Sequence, residues 1–236
     1  LIGSGHGTNA QPQAAIQILE QLVADGDIDA TVLLGRVYRF AWWNVAQDWL
    51  RSTTLFRKAS EAGNDAGATN YADALIHGLG VPADPTAGFE LLQNVAEKGV
   101  TDAQLDLAHV LSEGTAGLAR DQARAYVLYR DVARQGDAYA QFMTCAALME
   151  GRGVARDLHA AARWCDGSAR QGYDWAQLRL AEMFRMGQGM PRSANQAYYW
   201  YTVAASGTGQ VAGRARERRA HLAPEFSREE IEQQTK

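Results

Sequence analysis

Ala140-Gln141-Phe142-Met143-Thr144-Cys145-Ala146-Ala147-Leu148-Met149-Glu150-Gly151-Arg152-Gly153-Val154-Ala155-Arg156-Asp157, closed by Trp164-Cys165-Asp166-Gly167-Ser168-Ala169-Arg170-Gln171-Gly172, is the stretch that decides the fold. Small and large residues alternate with helical period in its first and last parts, and a glycine-rich turn separates them. The reading is a helix, a turn and a second helix folded back on the first. The same unit recurs along nearly the whole chain. Its closing glycine falls at Gly26, Gly63, Gly99, Gly136 and Gly172, in steps of 37, 36, 37 and 36. Self-similarity at such a period marks a repeat architecture.

The second helices carry a large apolar pair seven or eight residues before that glycine: Leu55-Phe56, Leu91-Leu92, Leu128-Tyr129 and Trp164-Cys165, with Trp200-Tyr201 next in line. A small residue stands three before it: Ser60, Ala96, Ala133 and Ala169. This is helical periodicity ended by a left-handed glycine. The first helices open on Ala30, Gly67, Ala103, Ala140 or Ala176 and place Gly35, Ala72, Ala108, Cys145 or Ala181 five residues on. Small residues at fixed places let two helix axes approach closely. Asp84, Asp121, Asp157 and Ser193 share one phase after the turn and are expected to accept hydrogen bonds from free amides at the start of each second helix. Pro85 suits the first helical position.

The pattern resembles the Sel-one-like repeat family, a tetratricopeptide-like α-solenoid. The closest matches are Leu34-Gly35-x-x-Tyr38, Gly151-x-Gly153-Val154-x-x-Asp157 and Trp200-Tyr201-x-x-Ala204-Ala205. The resemblance covers about residues 1–208 and implies an all-α, right-handed superhelix of about five antiparallel helix pairs. We divide the chain into a single repeat domain over 1–236. It consists of a partial repeat over 1–25, repeats over 26–62, 63–98, 99–135, 136–171 and 172–208, and C-terminal cap helices over 209–236. The resemblance also implies a protein or peptide partner on the concave face, and a scaffold or adaptor in a bacterial envelope assembly, regulatory or toxin-immunity system. The periplasm is the preferred compartment. The alternative is an enzyme related to cysteine-rich penicillin hydrolases of the same family, whose closely spaced cysteine pairs this chain lacks.

Composition is ordinary for a globular protein: 236 residues, 47% hydrophobic, 21% charged, net charge −4. No charge block suggests nucleic acid, and no apolar run is long enough to span a bilayer. Two readings stand for Cys145 and Cys165, which both fall at buried phases. Packed free thiols are preferred, since free cysteine behaves as a small buried hydrophobe; the other reading is a disulfide clasping the hairpin. Gly5 and Gly7 fall at the phase of Gly151 and Gly153, so the chain is expected to open mid-repeat, with Leu1-Ile2 as the stub of an earlier helix. In the first full repeat the glycine turn is replaced by Ala41-Trp42-Trp43-Asn44, followed by Trp49. These tryptophans are expected to fill a gap inside. After Ala205 the basic run Arg214–Arg219 and the acidic run through Glu229, Glu230 and Glu232 read as a solvated cap.

Motifs for chemistry are absent. There is no phosphate-binding loop, no His-Glu-x-x-His and no Cys-x-x-Cys, and the five histidines occur singly. Asp73, His77 and His109 are too few ligands for a metal, so no cofactor, metal or catalytic residue is expected. Resemblance places Val32, Arg36, Arg39, Phe40, Asp73, His77, Leu105, His109 and Glu113 on the exposed face of the earlier first helices. On the last two full repeats we expect the partner at Tyr139, Met149, Glu150, Trp175, Glu182, Arg185 and Met186. Aromatic and methionine side chains would anchor it, and the charged rim would orient it. Glu182 and Arg185, three apart, are expected to pair with each other when the site is empty.

Overall fold

The computed structural model describes residues 10–225, and side chains from 12 to 224. Leu1-Ile2, the Gly5 and Gly7 turn and the acidic run at Glu229–Glu232 lie outside the described residues. Within them the chain is an all-α solenoid of helix pairs, with no strand. The helices are α1 (Ala10–Ala24), α2 (Ile28–Phe40), α3 (Trp49–Glu61), α4 (Asp65–His77), α5 (Pro85–Glu97) and α6 (Thr101–Glu113), then α7 (Gln122–Arg134), α8 (Ala138–Glu150), α9 (Leu158–Arg170), α10 (Asp174–Met186), α11 (Ala194–Ala205) and α12 (Gly209–Leu222). Even-numbered helices from α2 to α10 are the first helices of the repeats.

Capping sets these boundaries. Asp84, Asp121, Asp157 and Ser193 each accept a hydrogen bond from the amide three residues on, as the sequence predicts, and Asp48 does the same for α3. Asp27, Asn64 and Asp137 cap first helices in the same way. Each such bond satisfies an amide that the helix leaves without a partner, at about 1 kcal/mol. Gly63, Gly99, Gly136 and Gly172 all have the positive φ expected of a residue closing a second helix.

The alternating period has a local cause. The step from the left-handed residue ending a first helix to the cap of the next is six from Gly78 to Asp84 and from Gly151 to Asp157, but seven from Ala41 to Asp48 and from Gly114 to Asp121. The extra residue forms a short 3-10 turn, at Trp42–Asn44 and Thr115–Gly117. In the shorter turns the second glycine meets the previous second helix. A Cβ on Gly80 would stand 2.2 Å from the carbonyl oxygen of Trp49, and one on Gly153 2.0 Å from that of Gln122. These are backbone contacts that only glycine allows. The longer turns carry left-handed residues with side chains instead: Ala41, Trp43, Asn44 and Ala116.

The molecule consists of two compact units, residues 1–120 and 121–236. The first holds α1–α6. Phe56 of α3 fills the space that Gly35 of α2 leaves, where a Cβ would come within 2.6 Å of its ring. Leu92, Val95 and Leu107 are buried alongside. That hairpin is already filled, which overturns the expectation for Trp42 and Trp43, while Trp49, the first residue of α3, is half-buried. Trp42 and Trp43 stand 41% and 36% exposed, and Trp42 stacks on Phe40 at 5.6 Å between ring centroids. The left-handed backbone at Ala41 and Trp43 turns the loop outward rather than into the stack.

In the second unit, α7–α12, the positions of Gly35 and Phe56 are taken by Cys145 and Cys165. Both are fully buried and joined in a disulfide, with Cα atoms 5.4 Å apart. The preference for free thiols is thereby corrected: the small position of a first helix and the large position of its partner face each other here, as Gly35 and Phe56 do in the first unit. Leu180, Met183 and Tyr201 are among the largest fully buried side chains of the same core. α12 packs Val211, Ala215 and Leu222 against it, with Ala212 also buried.

Candidate interaction surfaces

The first-helix surface of the second unit is built on α8, α10 and α12. Tyr139, at the start of α8, sits edge-on between Tyr129 and Tyr173, each at 6.1 Å, and is half-buried. Met149 packs against the core cluster. Glu150 is exposed and pairs with Arg152 at 3.0 Å. Met186 is 45% exposed.

Trp175 and Glu182, one face of α10 apart, share a cleft of about 220 Å³ with Leu178, Arg179, Arg214, Glu217 and Arg218. The Arg214 guanidinium lies over the Trp175 ring at 5.4 Å, a cation–π contact that covers part of the half-buried indole in the cleft. Glu182 pairs with Arg179 at 3.1 Å, not with Arg185. Arg185 stands beside the buried Tyr201. Burial raises the pKa of that tyrosine, and Arg185 and Arg218 oppose the rise. Arg214 and Arg218, four apart on the cap helix, are the contributors that reading repeat by repeat misses; their i, i+4 spacing is the signal that places them on one face.

The first unit carries a second concavity, of about 520 Å³, across α2, α4 and α6. Arg36, Arg39 and Phe40 line it from α2, Asn70 and Asp73 from α4, and Asp102, Leu105 and Asp106 from α6, with Trp42 at its rim. Arg39 is engaged. It bridges to Asp73 and to Asn70 Oδ1 (3.4 Å), and its guanidinium lies 5.4 Å from the Phe40 ring centre. Asp73 also meets His77 Nδ1 at 3.0 Å. Burial by the groove walls, then the nearby Asp73 and Asp102, push the Asp106 carboxyl up to about 6, while Arg39 and His109 pull the other way.

Among the described residues no three His, Cys, Asp or Glu side chains converge as metal ligands, and no helix is long and apolar enough to cross a membrane. Both cysteines are held in the disulfide, so neither presents a thiolate.

Comparison with known proteins places this architecture. No curated protein matches the chain. A crystal structure of a protective antigen from uropathogenic Escherichia coli, displaying an SLR fold, is 26% identical with a TM-score of 0.57. The match takes in 94% of this chain, which spans only 54% of that one. A Sel1 repeat protein from Oxalobacter formigenes is 24% identical, TM-score 0.70, over 84% of this chain and 80% of its own. An immunity protein from Pseudomonas aeruginosa shares the fold at 16% identity, TM-score 0.54, over 81% and 72%. The Sel1 repeat pattern matches residues 66–100, 101–137, 138–173 and 176–208. The repeat with the Ala41–Asn44 turn, over 26–62, falls outside those matches. Proteins built from these repeats commonly serve in protein–protein interaction. On four repeats in register over more than half its length, the chain belongs to the Sel1 repeat family.

Proposed function

We propose that the chain is a protein-interaction scaffold that holds a segment of a partner protein on the first-helix face of its second unit, around Trp175. One observation carries the reading. A half-buried tryptophan opens onto a cleft whose walls bear Arg179, Arg214 and Arg218 against Glu182 and Glu217. An indole with an apolar neighbour, Leu178, supplies contact area, and the mixed charges supply orientation. Arg214 lies over the ring in the free protein and yields its place to the partner on binding. Glu150 and Met186 extend the contact surface beyond the cleft, while Tyr139, Met149 and Arg185 support it from within. The disulfide suits an adaptor working in an oxidising compartment such as a bacterial periplasm or envelope.

The test begins with a photo-crosslinker in place of the exposed Met186, used in the source cell to identify the partner. Affinity is then measured with purified proteins. Trp175→Ala should weaken binding by about 2 kcal/mol or more, with the melting temperature held near that of the parent. An unchanged affinity in a folded Trp175→Ala protein overturns the site.

A further inference from the structure

The groove across α2, α4 and α6 is separate from the Trp175 cleft and stands on its own residues. Three features define it. First, it is a formed concavity of about 520 Å³ whose rim carries two stacked aromatic side chains, Phe40 and Trp42, 52% and 41% exposed. Exposed, stacked aromatic pairs of this kind are contact surface waiting for apolar or cationic atoms. Second, Arg39 is already engaged by Asp73, Asn70 and Phe40, so the groove's centre is neutralised from within. Third, Asp102 and Asp106 on the α6 wall have no cation within ion-pair distance among the described residues, and they stand four apart, on one helical face. Desolvation in the groove first, then the neighbouring Asp73 and Asp102, raise the Asp106 carboxyl to about 6, while Arg39 and His109 oppose the rise, so acidic groups crowd one another along this wall.

We propose that this groove binds an extended segment of a partner protein bearing a lysine or arginine next to an apolar side chain, the cation seated between Asp102 and Asp106 and the apolar group on the Phe40–Trp42 stack. Charge complementarity selects this occupant over an acidic one. On the α2 wall Arg36 is the one remaining cation, whereas two uncompensated carboxylates face it from α6. Such complementarity directs orientation and encounter rate more than bulk affinity, so the apolar contact at the aromatic rim is needed as well. The Trp175 reading neither supports nor requires this site.

The probe is a fluorescein-labelled decapeptide alternating arginine and leucine, with a glutamate–leucine peptide as its counterpart, titrated into the full chain by fluorescence anisotropy. The arginine peptide should bind saturably and the glutamate peptide should not. Asp102→Asn with Asp106→Asn together should weaken binding threefold or more, and so should Trp42→Ala. Glu90→Gln with Glu97→Gln removes the same net charge from α5 and should change it less than threefold. Asparagine is isosteric with aspartate, and each variant's melting curve verifies that it is folded. Affinity should also fall as the pH drops from 7.5 to 5.5, because Asp106 gains a proton. Asp73 on α4, Arg36 and Arg39 on α2, and Asp102 and His109 on α6 are the charged or titratable groups around it, with His77 beyond Asp73. Histidine protonation works in the same direction, so the diagnostic is a smaller fall in Asp106→Asn than in the parent. The proposal is overturned if the aspartate double variant binds within threefold of the parent, if the α5 variant loses as much, if the glutamate peptide binds as well, or if Asp106→Asn keeps the parent's pH profile.

Discussion

Gly153 and Ala116 occupy the same point of the repeat's turn, two residues after the left-handed residue that ends a first helix, and both have positive φ, 69° and 55°. They differ in what stands opposite. A Cβ at 153 would be driven into the Gln122 carbonyl, whereas Ala116 lies in the longer turn and is exposed. Gly153→Ala combines a left-handed alanine with a backbone clash and should destabilise by about 3 kcal/mol. Ala116→Gly relieves the strained backbone and gives back part of the gain through the looser unfolded chain, so it should stabilise by about 0.5–1 kcal/mol. Thermal melts of the two variants check both; equal shifts of one sign would mean that the turns are not distinguished by their extra residue. Gly80, Gly153 and Gly189 were legible as repeat markers. What they touch was not, because the partner is the backbone of the preceding repeat, about thirty residues upstream, and backbone leaves no mark in a side-chain pattern.

At the level of the element, the α8–α9 hairpin shows where single-helix reading stops. Each cysteine was placed correctly as a buried residue, one at the small position and one at the large position. That these two positions face each other is visible in Gly35 against Phe56, a pair whose sizes are complementary. Reading the first and second helices as separate rhythms conceals it. The chain-entropy view of a crosslink closing a loop of 20 residues gives about 3 kcal/mol of stabilisation. Melting with and without a reductant, under conditions that reduce a buried disulfide, should show a drop of that size, and a Cys145→Ala, Cys165→Ala protein should show a drop that reductant no longer changes. No effect of reductant on the parent after verified reduction would mean that packing alone holds the hairpin. α12 makes the complementary point. Its basic run was evident from Arg214–Arg219, but its contribution to a cleft is not, since Arg214 and Arg218 belong to no repeat and meet Trp175 only through the packing of α12 on α10.

For the molecule as a whole, periodicity made the architecture readable: helices, caps and closing glycines all recur in phase, so errors in one copy are corrected by the next. Function lies where copies differ. Trp42, Asp106 and Arg214 stand at places where the copies differ, and a method that gains certainty by averaging repeats discards them. Trp42 and Trp43 were misplaced for this reason, as an irregular turn offers no second copy to compare. The disulfide between α8 and α9 also gives the chain an uneven response to mechanical load. When the folded protein is pulled by its ends, each hairpin can extend to its full contour as it opens, except the one whose two helices are tied at Cys145 and Cys165. The 19 residues between the ties stay off the load path, shortening the fully extended chain by about 65 Å, which is 20 steps of about 3.5 Å less the 5.4 Å between the tied Cα atoms. In an optical-tweezers trace the reduced protein should gain that length as a late additional extension, which makes this hairpin a length stop within an otherwise extensible spring.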